Sequence, residues 1–277
     1  MSGLKPKLQR LLMRTGFYHR VRKAFIYDLY WLVVDRRVIE SRTKQVRFYE
    51  NLLRGFQNRC LVFDIGANHG TKTDIFLRLG ARVIAVDPDE TNQQALKEAF
   101  LQYRVNPRAV TIIGKAVSDK VATETLWIDE PGSAKNTLSP KWVQALRNDK
   151  NRFGHQLRFG EAKQIETTTL DQLIEAYGAP FFIKIDVEGH ELSVLRGLRC
   201  PVPYVSFEVN LPDFLEEGLR CVELLQRLAK NGRFNYTVDC ERGVALDRWL
   251  EAASFSAVLA DCTEKSIEVL WESGLKP

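Results

Sequence analysis

The chain has 277 residues, of which 45% are hydrophobic and 27% are charged. This balance is typical of a soluble globular domain of ordinary size with an appendage. The longest apolar runs, such as residues 31–34, are too short to cross a bilayer, and we expect no signal peptide. Five scattered cysteines without C-x-x-C spacing argue against a disulfide framework or a structural zinc site, so we expect a cytoplasmic protein.

The net charge of +5 is distributed unevenly along the chain. Residues 1–59 contain 14 Lys and Arg against 4 Asp and Glu, whereas the remainder carries a net charge of −5. We therefore predict a basic helical N-terminal appendage at 1–59 and a mildly acidic domain at 60–277. An acidic domain disfavours nucleic acid as a partner. The sequence gives no basis for an oligomeric state.

Apolar residues recur at roughly helical spacing over residues 4–30 and again over 37–57, among many Lys and Arg. One interpretation is a cover that packs on the domain with its charges solvated. The other is peripheral contact of residues 1–59 with the inner face of an anionic membrane, or with an acidic substrate. The cover is favoured because the apolar stripe is not clean.

From residue 60 onward, apolar stretches of strand length alternate with amphipathic stretches of helix length. The pattern predicts strands over 60–65, 82–87, 110–113, 124–128, 181–186, 204–209, 234–238 and 267–271. It predicts helices near 71–79, 90–101, 170–177, 190–198 and 218–230. Such alternation indicates βαβ units around a mainly parallel sheet, with the last two strands as an antiparallel pair.

Residues 129–165 interrupt this alternation. They are polar, contain several Gly and Pro, and include one short helical stretch around 140–148. A long insertion in an α/β domain is typical of a lid or a substrate-side binding loop. The alternative is a flexible surface loop.

The first predicted strand runs into a turn with the sequence Asp-Ile-Gly-Ala-Asn-His-Gly at residues 64–70. The glycine spacing is G-x-x-x-G, not the G-x-G-x-x-G turn of dinucleotide-binding folds. S-adenosylmethionine carries no phosphate, and an acid on this strand suits its cationic amino-acid end. The candidate binding residues are Asp64, Gly66, Ala67, Asn68 and Gly70. The alternative is a tight turn that needs glycine for positive φ.

Two further strand ends carry candidate cofactor contacts. Asp87 ends the second strand, 21 residues after Gly66, where an acid accepts ribose hydroxyls. The alternative there is helix capping, with Asp87 as the N-cap and Pro88 at the first helical position. After the third strand, the candidate contacts for an adenine ring are Val117, Ser118 and Asp119, although an ordinary Ser-Asp turn explains them equally well.

Residues 184–191, Lys-Ile-Asp-Val-Glu-Gly-His-Glu, crowd ionisable groups at one strand end. Transfer of a methyl group to oxygen needs positioning of the acceptor and removal of its proton. We expect Asp186 to face the cofactor, and Glu188 and His190 to reach the acceptor. The alternative is that Asp186 and Glu188 cap the following helix.

Glu208 ends the next strand and should lie beside Asp186. Together with Glu188, these carboxylates offer the hard oxygen ligands that a divalent ion prefers. We expect no metal, because Lys184 already supplies positive charge and no dense Asp/Asn loop is present.

Taken together, the motifs resemble the FkbM family of S-adenosylmethionine-dependent methyltransferases. The resemblance is carried by F-D-I-G-A-N-H-G (63–70), Asp87, A-V-S-D (116–119), T-T-L-D-Q-L (168–173) and K-I-D-V-E-G-H-E (184–191). It implies a class I methyltransferase fold: a Rossmann-like, mainly parallel seven-stranded sheet with helices on both faces and a reversed last strand. Asp64, Gly66, Asn68 and Gly70 would then line the methionine part of the cofactor, and Asp87 its ribose.

The resemblance also implies O-methylation of a hydroxyl on a sugar, a polyketide or a related natural product, with 132–138 as a substrate-side loop. Our leading hypothesis is an O-methyltransferase acting on a glycan, a lipid-linked saccharide or a similar small molecule. One alternative is a nicotinamide-dependent oxidoreductase, which the missing G-x-G-x-x-G turn disfavours. Another is a non-catalytic binding protein, which the costly strand-end acids disfavour.

Overall fold

The structure is a computed structural model that describes residues 36–101, 109–148 and 157–275. Its helices are α1 (Arg36–Leu52), α2 (Thr71–Arg78), α3 (Glu90–Ala99), α4 (Pro140–Asn148), α5 (Leu170–Tyr177), α6 (Glu191–Arg196), α7 (Leu215–Leu228) and α8 (Ala252–Ala260). Its strands are β1 (Leu61–Ile65), β2 (Arg82–Val86), β3 (Val110–Ile113), β4 (Ala116–Val117), β5 (Thr123–Ile128), β6 (Glu161–Thr168), β7 (Phe182–Ile185), β8 (Tyr204–Asn210), β9 (Arg233–Thr237) and β10 (Ser266–Glu272).

Seven of these strands form one sheet in the order β3-β2-β1-β7-β8-β10-β9. The pairs from β3 to β8 are parallel, whereas β10 pairs antiparallel with both β8 and β9. The predicted mainly parallel sheet with a reversed last strand is confirmed. A second, smaller sheet has the order β4-β6-β5.

The strand order reverses between β1 and β7. The chain runs outward from β1 through β2 to β3 and later returns to pair β7 on the other side of β1. In open α/β sheets, ligands bind at such a switch point, beyond the carboxyl ends of the strands. The turn after β1 and the segment after β7 therefore meet where a ligand site is expected.

The core occupies both faces of the large sheet. Phe63 belongs to one buried cluster and the adjacent Val62 to another, because successive strand residues point to opposite faces. Helix α1 packs on the second face, where the ring of Tyr49 lies edge-on to Phe76 with centroids 5.0 Å apart. Helix α1 thus covers the sheet with buried apolar residues, and it ends at Leu52 rather than near residue 57.

Residues 1–35, which carry the first predicted helical stretch, lie outside the described residues, and the domain division at residue 59 stays a prediction. In the described ranges, no helix combines the length and apolar character that a membrane crossing requires. The eight predicted strands and the predicted helices from residue 71 onward are present, with ends shifted by three residues at most.

Three elements were not predicted. Strand β6 lies partly in the presumed insertion, and only Ile165 among its first six residues is buried, so its sequence is typical of a loop. Strand β4 has two residues. Helix α8 is rich in small residues and buries Phe255 and Leu259, which is too sparse a pattern to mark a helix.

Candidate active site

A cleft opens beyond the carboxyl ends of β1, β2, β4 and β7. Its cavity volume is about 110 Å³, and the cleft is open to solvent on one side. Seven of the predicted site residues line it: Gly66, Asn68, Asp87, Val117, Asp186, Glu188 and His190. Apolar walls come from Ile65, Val86, Ala116, Val117, Leu126 and Leu138.

The floor of the cleft is the turn after β1. Gly66 has φ +80°, and a Cβ there would overlap the main-chain carbonyl of Asp186. The backbone N–H groups of Gly66 and Ala67 both donate to the carbonyl of Val86, at 2.9 and 3.0 Å. Glycine is therefore required at position 66, because the ends of β1 and β7 are in direct contact there. The absence of a side chain also leaves the backbone of the turn accessible to a ligand.

Asp87 lies at the end of β2, 5% exposed. Its carboxylate accepts hydrogen bonds from the backbone N–H of Asn68 at 2.8 Å and of Asp89 at 2.9 Å, and from Asn92 Nδ2 at 3.1 Å. Burial raises the pKa of Asp87 to about 6, and these donors limit the rise. Asp87 is thus a fixed, buried acceptor in the cleft wall.

The alternative interpretation of Asp87, as the N-cap of the next helix, is wrong in position. Helix α3 begins at Glu90, and its N-cap is Asp89, whose carboxylate accepts from the backbone N–H of Thr91 at 2.7 Å. Asp89 also accepts from the N–H of Gly132 and from Asn136 Nδ2. Asp87 is left available to the cleft because its neighbour caps the helix.

Five predicted contacts do not line the cleft: Asp64, Ala67, Gly70, Ser118 and Asp119. Asp64 is 1% exposed and accepts a hydrogen bond from Thr73 Oγ1 at 2.5 Å, so it supports the β1 turn from below. Gly70 has φ +83° and packs against Phe100 and Leu96. Asp64 and Gly70 thus shape the turn after β1 through buried contacts and do not face the cleft.

Ser118 is buried behind the cleft wall and contacts a predicted catalytic residue. Its hydroxyl lies 3.1 Å from Nε2 of His190 and donates to Glu124 at 2.9 Å. Burial lowers the pKa of His190. His190 therefore faces the cleft as a neutral imidazole held by Ser118. Asp119, by contrast, is exposed.

Asp186 follows β7, and its side chain is 41% exposed into the site. Lys184 Nζ, which is buried, donates to the Asp186 carboxylate at 2.7 Å. Burial alone would raise the pKa of Asp186, but the ammonium groups of Lys184 and Lys135 outweigh it and lower that pKa. Asp186 therefore stays ionised, and its hydrogen bond to Lys184 fixes the orientation of the carboxylate.

Glu188 is held by the predicted substrate-side loop. Its carboxylate accepts from Lys135 Nζ at 2.8 Å and from Trp142 Nε1 at 2.9 Å, and its carbonyl accepts from Thr137 Oγ1 at 2.7 Å. Glu188 has φ +54°, a strained conformation for a residue with a side chain. Lys135 binds one carboxylate oxygen of Glu188 and Trp142 binds the other. These contacts, which we call the latch, hold the loop against the site.

Glu191 forms the turn that carries Glu188. Its carboxylate accepts from the backbone N–H of Val187 at 3.1 Å and of Gly189 at 3.2 Å. The alternative in which Asp186 and Glu188 cap α6 is not observed, because their carboxylates instead accept from Lys184, Lys135 and Trp142. His190 stands at the N-cap position without a side-chain cap bond.

The buried charge of Glu191 gives a pH-dependent stability. Burial, and next the charge of Glu208, raises the pKa of Glu191 from 4.5 to about 8. Between these values the folded protein keeps a proton that the unfolded chain has lost, so stability falls as pH rises through this window. Glu191→Gln keeps the acceptor oxygen but cannot ionise. Between pH 5 and pH 9 we therefore expect wild type to lose on the order of 4 kcal/mol of stability relative to Glu191→Gln. Urea unfolding at both pH values measures this difference.

The exposed Glu223→Gln on α7 is the matched control and should follow wild type at both pH values. An equal pH dependence in wild type and Glu191→Gln would contradict the assignment.

Glu208 lies beside Asp186, as predicted. Asp186, Glu188 and Glu208 bring carboxylate oxygens within 4.8 Å of one another, a spacing that suits a metal ion. Lys184 and Lys135 already pair with the first two of these carboxylates.

Sequence reasoning missed the residues that fasten the loop: Lys135, Asn136, Thr137 and Trp142. Three of them lie in the stretch 132–138 that was assigned to the substrate side, so the segment was found but not its contacts. Trp142, on α4, is fully buried yet bonded to a carboxylate. No sequence pattern pairs Trp142 with Glu188 across 46 positions.

The cleft suits S-adenosylmethionine. The turn at Gly66 has no side chain to obstruct an amino-acid group, Asp186 is ionised, and Asp87 is a buried acceptor. These are the features that the amino-acid end, the cationic centre and the ribose of this cofactor would need. The apolar residues Val86, Val117 and Leu126 offer a surface for a flat ring.

Comparisons with known proteins agree with this geometry. The sequence model of the methyltransferase FkbM domain matches residues 64–235. The methyltransferase FkbM of Methylobacillus flagellatus KT has a similar structure, with a TM-score of 0.51 and 18% identity over 82% of this chain and 47% of that one. This chain therefore spans about half the length of that relative.

Two other methyltransferase structures match with lower TM-scores. The precorrin-6y C5,15-methyltransferase of Geobacter metallireducens GS-15 has a TM-score of 0.40 and 10% identity, over 84% of this chain and 87% of that one. The SAM-dependent methyltransferase of Agrobacterium tumefaciens has a TM-score of 0.40 and 11% identity, over 84% and 62%. No curated protein sequence matches this chain.

The strand order and the cleft at the switch point define a class I methyltransferase fold. More particularly, the family model covers over half of the sequence, and the chain belongs to the FkbM methyltransferase family. The predicted family resemblance is confirmed.

Proposed function

We propose that this protein is an S-adenosylmethionine-dependent O-methyltransferase. Its acceptor would be a hydroxyl of a sugar or glycan, a lipid-linked saccharide or a related natural product. The observation that carries the proposal is that Asp87 and Asp186 line the same cleft as the Gly66 turn. A donor held by Asp87 and Gly66 would then present its methyl group near Asp186.

The three predicted catalytic residues differ in their ionisation, their exposure to the cleft and their hydrogen-bond partners. Asp186 is ionised and exposed into the site, so it is the group best placed to orient an incoming hydroxyl. His190 is neutral and lines the cofactor cleft, so we assign it a hydrogen bond to the bound molecules. Glu188 is engaged by Lys135 and Trp142, and we assign it the role of positioning the loop.

A variant of Asp186 separates catalysis from binding. We expect Asp186→Asn to lower methyl transfer about 100-fold, since misplacement of a reactant costs about 10²-fold in rate, while the variant still binds S-adenosylmethionine measurably through Asp87 and the Gly66 turn. Wild type and Asp186→Asn are each incubated with methyl-labelled S-adenosylmethionine and with the carbohydrate and lipid fractions of the source cells. Labelled methyl ethers are then identified by mass spectrometry.

Asp213→Asn, outside the residues that line the cleft, is the control. Label found as N-methyl or C-methyl groups would refute O-methylation. Unchanged transfer by Asp186→Asn would refute the role of Asp186, and cofactor binding without transfer to any fraction would favour a binding protein.

The remaining proposals concern partners and location. We keep peripheral membrane contact through residues 1–59, a cytoplasmic location and the absence of a nucleic-acid partner as predictions. The excess of positive charge in 1–59 supports attraction to an anionic surface.

A further inference from the structure

A second cavity adjoins the cofactor cleft and shares Asp186 with it. Its volume is about 250 Å³, and it lies on the other side of the ends of β7 and β8. The lining includes Gln45, Lys72, Lys184, Glu208, Cys240 and Glu268. Nothing in the cofactor assignment uses this cavity, and its position next to Asp186 places it where an acceptor would meet the methyl group.

Two glutamates face each other in the wall of this cavity. Glu208 on β8 and Glu268 on β10 are paired residues in the antiparallel register, so both side chains project from the same face. Like charges directly opposite each other destabilise a sheet. Because Asp186 adds a third carboxylate at the same place, this arrangement costs stability, which is typical of a site kept for function.

The carboxylates of the two glutamates accept hydrogen bonds from neutral groups, so their negative charge is not neutralised by these partners. Glu208 accepts from Ser266 Oγ at 2.7 Å and from Asn210 Nδ2 at 3.0 Å, and Glu268 accepts from Tyr49 Oη at 3.4 Å. Asp239 also lines the cavity, so four carboxylates face two ammonium groups, those of Lys72 and Lys184. This excess of negative charge disfavours an anionic molecule and favours hydroxyl groups, which donate hydrogen bonds to carboxylates.

We infer that this second cavity is the acceptor site, that it takes an uncharged polyhydroxylated molecule, and that Glu208 receives the proton of the reacting hydroxyl. The inference rests on the proposed function, because it needs a methyl donor in the neighbouring cleft. S-adenosylmethionine supplies an electrophilic methyl carbon, whose bonding pair stays on sulfur. A lone pair on the acceptor oxygen forms the new O–C bond as the C–S bond breaks, and the O–H bonding pair stays on that oxygen when the proton moves to the Glu208 carboxylate.

The neighbouring carboxylates support this division of roles. Lys184 lowers the basicity of Asp186 by pairing with it, which leaves Asp186 to orient the hydroxyl. Burial, and next the charge of Asp186, raises the pKa of Glu208, which makes it the stronger base. Glu208 was predicted from the sequence as a neighbour of Asp186, whereas Lys72, Gln45, Cys240 and Glu268 come from elements far apart in the chain.

The test measures binding without methyl transfer. Full-length protein is saturated with S-adenosylhomocysteine, and saturation-transfer NMR records the binding of methyl α-D-glucopyranoside, methyl α-L-rhamnopyranoside and myo-inositol. Glucose 6-phosphate and glucosamine are the anionic and cationic comparisons. We expect at least one neutral compound to bind more tightly than either charged one, and Glu208→Gln and Glu268→Gln to weaken that binding at least fivefold.

Glu272→Gln is the matched control, because Glu272 lies on the same strand as Glu268, four positions away at the opposite end of the sheet. Calorimetry with S-adenosylhomocysteine shows that each variant is folded and keeps its cofactor cleft. The inference is overturned if no neutral compound binds, if glucose 6-phosphate binds best, or if both glutamate variants bind like wild type. Failure of wild type to bind S-adenosylhomocysteine would instead refute the proposed function.

Discussion

Asp87→Ala should lower the affinity for S-adenosylmethionine about 100-fold, which corresponds to about 2.7 kcal/mol. A hydrogen bond to a charged group contributes about 1.5–3 kcal/mol, and the variant removes the acceptor for the ribose hydroxyls. It also leaves the N–H groups of Asn68 and Asp89 without their partner, which loosens the turn that forms the cleft. Isothermal calorimetry at pH 8 measures the effect.

The same carboxylate predicts a pH dependence of binding. Because burial raises the pKa of Asp87 to about 6, the group becomes protonated as pH falls through this value and loses acceptor capacity. Wild-type affinity should therefore fall by up to about tenfold between pH 7 and pH 5, and Asp87→Asn should show a weak and flat dependence. Equal affinity of Asp87→Ala and wild type at pH 8 would contradict the ribose assignment.

Gly66→Ala should destabilise the protein by about 3 kcal/mol or more and abolish measurable cofactor binding. A residue with a side chain costs about 1–2 kcal/mol at positive φ, and here the added Cβ also overlaps the carbonyl of Asp186. The strand ends of β1 and β7 must separate to relieve this contact, which displaces both the turn and Asp186. Urea unfolding and calorimetry together measure the two losses.

Gly178→Ala separates the cost of positive φ from the cost of the overlap with a neighbouring strand. Gly178 has φ +97°, but a Cβ there meets nothing within 4 Å. It should lose about 1–2 kcal/mol of stability, the cost of the positive φ alone, and bind the cofactor like wild type. If Gly66→Ala lost no more stability than Gly178→Ala, close approach of the two strand ends would not be the reason for glycine at position 66.

The sheet was predictable because its strands carry their signal locally. Residues such as Val83, Ile84 and Ile183 form short buried runs, and these mark strands from sequence alone. Strand β6 escaped prediction because it lies outside the main core and alternates few apolar residues. The register that joins β4, β5 and β6 depends on pairing across the sequence, which no local pattern reveals.

The candidate site was predictable where each residue follows directly from a strand end. Gly66, Asp87 and Asp186 occupy such positions, and all three line one cleft. Asp64 was assigned to the ligand because it is an acid in the motif, but its carboxylate turns into the fold toward Thr73. The latch between Lys135 and Glu188 joins residues 53 positions apart, so only the folded structure shows it.

Titration of the wild-type protein by isothermal calorimetry with S-adenosylmethionine, and separately with NADH, tests the central claim most directly. The cleft at the ends of β1, β2 and β7 predicts one S-adenosylmethionine per chain, bound with a micromolar dissociation constant, and no heat from NADH under the same conditions. Absence of binding to S-adenosylmethionine, or tighter binding of NADH, would contradict the assignment of this cleft to a methyl donor.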